Sequence, residues 1–130
     1  MSNKFFFISA IAILVILPLK VEAREIVCNA PKFSNRLDNL SSLAYGKLNK
    51  QKWQTLVVKN KNTKNNTFDN AKEGLSLNET QRILGFYGQQ IKVSCDGRAE
   101  YWVWKEEDSK KIIHIIFLDN KINVLKGKGF

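Results

Sequence analysis

One histidine and two cysteines are all that this 130-residue chain offers toward the side chains that most often bind metals or activate nucleophiles. With no Cys-x-x-Cys pair and no second histidine, a metal centre built on those ligands is excluded. No Gly-x-Ser-x-Gly elbow is present, so the usual hydrolase nucleophile is missing too. Acidic residues are few, 12 Asp+Glu against 21 Lys+Arg, which leaves a net charge of +9. Neither an arginine-rich run nor a Gly-rich phosphate loop accompanies that excess. At this length one small domain is expected, and a large multidomain enzyme is excluded. The lone His114 lies in the apolar run Ile112 to Ile116 and reads as a structural strand residue. The acidic group Glu106-Glu107-Asp108 reads as a solvated hairpin turn, because a calcium loop needs alternating oxygen ligands and a glycine at the bend. The expectation is a protein without catalysis, cofactor or metal.

What is present begins with an address. Lys4 precedes the unbroken apolar run Phe5 to Leu17, Pro18 follows, and Val21-Glu22-Ala23 places small residues at the positions a signal peptidase reads. Residues 1–23 therefore read as a secretory signal peptide and 24–130 as a single exported domain, periplasmic or secreted. An uncleaved anchor extending through Leu19 is the alternative, and after cleavage no membrane span is expected. Cys28 follows Glu25-Ile26-Val27, which lacks the small residue and the spacing that lipid attachment requires. Cleavage removes Lys4, Lys20 and Glu22, so the positive balance falls by one. In an oxidising compartment Cys28 and Cys95 are expected to form one disulfide. Closing a loop of about 67 residues, it would stabilise the domain by about 4 kcal/mol on loop-closure entropy.

Leucines at 37, 40, 43 and 48, with Ala44, form a helical stripe over Phe33 to Leu48, and Ser34 or Asn35 can cap it. Trp53 to Val58 alternates like a short strand, completing a helix-plus-strand unit over 33–60. Lys59 to Asn70 is rich in Asn and Lys and reads as the start of an exposed loop over 60–73. Residues 74–130 then read as a helix and a sheet. Asn78 with Gln81 makes a capping box for a helix of about two turns that stops at Gly85. Strands are expected at Gln89 to Cys95, Glu100 to Lys105, Ile112 to Leu118 and Ile122 to Lys126, joined by Asp96-Gly97, Glu107-Asp108-Ser109 and Asp119-Asn120. Such short connections force antiparallel pairing. The fold class is α+β, with short helices packed on one face of an antiparallel meander.

The strings Gly74 to Gln81 through Ile83-Leu84-Gly85, Tyr101-Trp102-Val103-Trp104, and Ile115 to Ile122 together resemble the repeat unit of beta-lactamase inhibitory protein-like domains and of the related SmpA/OmlA envelope lipoproteins. The shared pattern is a Gly-hydrophobic-Ser/Thr helix start, a Tyr/Trp-rich strand and a final hairpin ending in Asp-Asn-Lys-hydrophobic. It covers about residues 74–130. The resemblance implies an exported helix–sheet module that binds proteins, with the aromatic strand positions as contacts. It does not imply outer-membrane anchoring, because the lipidation signal is lacking, nor inhibition of a beta-lactamase, because only one such repeat is recognisable.

Period-two alternation places Trp102 and Trp104 with Glu100 on one face of their strand and Tyr101 with Val103 on the other. Aromatic residues are enriched at binding hot spots, so Trp102, Trp104, Glu100 and Tyr101 are the candidate partner-binding residues. The competing reading puts both tryptophans in the core. The partner expected is another protein. The dispersed lysines allow a second reading, a basic envelope factor held to an anionic lipid or cell-wall surface, since nucleic acid is not expected outside the cytosol. The Asn-x-Ser/Thr triplets at Asn39, Asn65 and Asn78 are glycosylation acceptors only on a eukaryotic secretory route.

Overall fold

A computed structural model describes residues 24–34, 37, 39–64 and 74–130. The expected signal segment and most of the expected 60–73 loop lie outside the described residues. The remainder is an α+β structure with one five-stranded mixed sheet in sequential order. Strand β1 (Glu25–Val27) runs parallel to β2 (Gln89–Ser94), and β2, β3 (Ala99–Lys105), β4 (Ile112–Leu118) and β5 (Lys121–Lys128) form an antiparallel meander. Helices α1 (Lys50–Lys64) and α2 (Leu77–Leu84) precede the meander in the chain.

The four meander strands fall where alternation and turn chemistry place them, each bounded within about two residues. Asp119 and Asn120 both take positive φ, the pair of left-handed residues that a two-residue hairpin with the right twist requires. Helix α2 is also where expected, with Gly85 at φ 88° as its left-handed C-cap. Its N-cap differs. Ser76, not Asn78, accepts from Glu79 N, and Ser76 N donates in turn to Glu79 Oε1 at 2.9 Å. The same grammar is written twice, two residues apart, and the earlier copy is used. Gln81 instead accepts from Gly88 N at 3.0 Å.

The N-terminal half departs from expectation. Residues 53–58 are helical, not extended, and the helix runs on into the segment expected to be loop. Its inward stripe is Trp53, Leu56 and Asn60, at three- and four-residue spacing. A buried asparagine in that stripe disguises it: Asn60 is 6% exposed and its Oδ1 accepts from Leu75 N at 3.0 Å, tying α1 to the entry of α2. The leucines of 37–48 do not share a helix face either. Phe33, Leu37 and Leu40 pack on the sheet face that carries Tyr101, Val103 and Ile116, whereas Leu48 joins the core on the other face and Leu43 is exposed. Among the described residues of this segment, Ser42–Ala44 alone makes a turn of 3-10 helix. An extended segment covers about twice the sheet length per residue that a helix does, so a short strap closes this face where one helix could not.

The sheet is thus covered on both sides. The main core joins Leu48, Leu56, Leu75 and Leu84 to Trp104, Ile113, Ile115, Phe117 and Ile122. Close approaches set its thickness. A Cβ on Gly88 would sit 2.5 Å from the Trp104 indole, so only glycine lets that ring lie flat on the chain. The disulfide between Cys28 and Cys95 is formed, and Cys95 N donates to Val27 O at 2.9 Å. Covalent and hydrogen-bonded ties together hold β1 at the sheet edge.

Candidate functional site

Strand β3 sorts the four candidate residues between the two faces. Tyr101 and Trp104 have no exposed surface, so neither meets a partner directly, and the reading that puts tryptophan in the core holds for Trp104. The Trp104 indole N–H donates to Phe86 O at 3.0 Å, which satisfies its polar edge inside the core. Trp102 stacks on it at 6.2 Å between centroids but remains half-buried. Of the four, Trp102 and Glu100 are the pair that solvent reaches.

These two sit where the helical layer stops. The register Ile26, Val93, Glu100 runs across β1, β2 and β3 on the helix-side face, and Gln90 pairs with Trp102 beside it. Ile26 is 67% exposed. The Trp102 indole N–H donates to Glu100 Oε1 at 3.1 Å, Gln90 Nε2 donates to the same oxygen at 2.6 Å, and Arg24 donates to Gln90 Oε1 at 3.0 Å. The result is an aromatic and aliphatic surface with one carboxylate whose orientation is fixed. Ile26, Gln90 and Val93 were not legible as site residues, because β1 has only three residues and follows directly on the expected signal segment.

On the opposite face the Tyr101 hydroxyl lies 2.6 Å from His114 Nδ1, and Ser34 N donates to the same hydroxyl at 3.2 Å. Phe33 covers both rings, at 5.4 Å from Tyr101 and 5.3 Å from His114. Burial, helped by the positive charges of Lys126 and Lys128 on β5, pushes the His114 pKa down to about 4, and burial also raises that of Tyr101. His114 is 4% exposed, and this arrangement fastens the strap to the sheet. The β3–β4 turn leaves Glu107 and Asp108 in solvent, while Glu106 accepts from Leu48 N at 2.8 Å. No cluster of three or more His, Cys, Asp or Glu suited to a metal ion occurs among the described residues. No helix among them is long and apolar enough to cross a membrane. Asn39 and Asn78 are exposed, and Asn65 lies outside the described residues.

Comparison with known protein families, curated proteins and solved structures finds no match to the chain.

Proposed function

We propose that this chain is an exported, non-catalytic protein-binding module of the beta-lactamase inhibitory protein-like type. The observation that carries the reading is the half-buried Trp102 at the end of the helical layer, with its indole edge and Glu100 held in place and Ile26 exposed beside them. A large ring that is already oriented loses little entropy when a partner covers it, and a carboxylate at its edge selects the partner's register. Within residues 74–130, the stretch of the resemblance, helix α2 is followed by the antiparallel meander, which supports a helix–sheet module. The disulfide supports export, because such bonds persist in oxidising compartments. The chain's single histidine is engaged with Tyr101 under the strap, which supports a structural role for it.

The test is site-specific photo-crosslinking from position 26, exposed beside Trp102, in the producing cell, with Trp102→Ala introduced into the same chain and scored for capture of the crosslinked partner. A discrete adduct from position 26, lost in Trp102→Ala while circular dichroism is unchanged, is the expected result. Equal partner capture by Trp102→Ala would remove this face from the binding surface.

A further inference from the structure

Folding sets Arg82 against the lysine-rich first helix. Lys47, Lys50, Lys52, Lys59, Lys61 and Arg82 stand on or beside the two helices, and α1 carries no acidic residue. Glu79 is the one carboxylate within α2, and it is spent on capping Ser76. Helical spacing then sorts these cations. Lys52, Thr55 and Lys59 lie three and four residues apart on the flank of α1 that faces α2, whereas Lys50 and Lys61 lie on the far flank. Between the helices is a groove of ≈ 410 Å³ whose walls include Lys52, Thr55 and Lys59 on one side and Arg82 on the other, and its lining contains no carboxylate.

Lys52 is not a free surface lysine. Its Nζ donates to Lys47 O at 2.7 Å and stands 5.8 Å from the centre of the Phe86 ring, so its charge is held within the wall. The side chains of Lys59 and Arg82 are exposed and make no hydrogen bond or close ion pair among the described residues, and Arg82 lies near enough to Glu79 to help lower that carboxyl's pKa. Lys52 and Lys59 are seven residues apart, about 10 Å along the helix axis, and the bond to Lys47 O draws the Lys52 ammonium toward the helix N-terminus, away from Lys59, so the two charges stand at separate stations. A ligand that satisfies the groove must present anionic groups in succession.

We propose that the groove between α1 and α2 binds an extended anionic polymer with a phosphate on each repeat, its backbone lying along α1 between Lys52 and Lys59 with Arg82 on the facing wall. The recessed Lys52 favours a chain that enters the groove over a flat bilayer that rests across its rim. This surface shares no residue with the Trp102 surface, so the two bindings fail or succeed independently.

The test uses the oxidised full-length protein and inorganic polyphosphate, with affinity measured across a salt series. Binding that weakens with salt is expected, and Lys59→Gln with Arg82→Gln together should lower the log–log salt slope by about 1.4 and weaken binding on the order of tenfold. Lys50→Gln with Lys61→Gln removes the same charge from the far flank and should change affinity less than about twofold. Lys59→Arg with Arg82→Lys should retain binding, which separates loss of charge from loss of fold. Equal losses in both Gln pairs, or no salt-dependent binding of polyphosphate, would overturn the proposal. Tighter binding to phosphatidylglycerol vesicles than to polyphosphate, at equal phosphate, would assign the cations to a membrane surface and overturn it as well.

Discussion

His114 should make this protein less stable as the pH falls through the mildly acidic range. In the unfolded chain its imidazole titrates near the ordinary 6.5, while in the folded protein burial and the neighbouring lysines hold it neutral down to about 4. The unfolded state therefore takes up the proton first, and stability is lost as pH drops from about 6.5 toward 4. At about 1.4 kcal/mol per unit, the full gap is worth about 3 kcal/mol below pH 4, about 2 kcal/mol at pH 5, and almost nothing at pH 7. The geometry supplies the reason. A protonated ring is a donor at both nitrogens, so Nδ1 would direct a proton at the Tyr101 oxygen 2.6 Å away, and that hydroxyl's next acceptor is Ser34 O at 3.5 Å. Urea unfolding followed by tryptophan fluorescence at about pH 7 and pH 5 should show that loss of about 2 kcal/mol. His114→Gln keeps an acceptor for Tyr101 but cannot titrate, and its loss over the same interval should be under about 0.5 kcal/mol. Glu79, Asp96 and Asp119, whose pKa values are lowered by their hydrogen bonds, lose their contributions only below that interval and do so in both proteins. A His114→Gln variant with the parent's pH dependence would refute the reasoning.

Replacing Cys28 and Cys95 together by serine should cost about 4 kcal/mol in denaturant unfolding and raise amide exchange across Glu25–Val27, because the strand has only three residues of pairing without its staple. A loss under about 1 kcal/mol would mean that the strap's contacts hold the N-terminal segment by themselves. The two candidate caps of the second helix separate cleanly: Ser76→Ala should cost about 1 kcal/mol, whereas Asn78→Ala, at an exposed position, should stay within about 0.5 kcal/mol. Reversed values in thermal or urea melts would place the helix start at Asn78.

The second half of the chain was legible because its signals are local. Alternation over 112–118, left-handed turn residues at Asp119 and Asn120, and a stop at Gly85 each act within a few residues, and antiparallel pairing follows from short connections. The cysteines were legible for a different reason: with two in a chain whose N-terminus reads as an export signal, there is one intramolecular pairing to make. The first half was not legible because its residues answer to distant partners. Asn60 looks like loop composition until Leu75 N is placed against it, and the leucines of 37–48 keep a helical spacing that the chain never uses, since they are divided between two faces of one sheet. The same holds for the candidate site. Alternation put Trp102 and Trp104 on one face correctly, yet which of them meets solvent depends on where the helical layer ends, and that is a property of packing. The sequence by itself determined the four meander strands, their order of pairing, the single disulfide and the scarcity of chemistry-bearing side chains. Tertiary structure alone decided that Trp104 is core and Trp102 is surface, that a strap closes the second face over Tyr101 and His114, and that Arg82 faces Lys52 and Lys59 across one groove, because burial and charge density depend on neighbours that are remote in the chain.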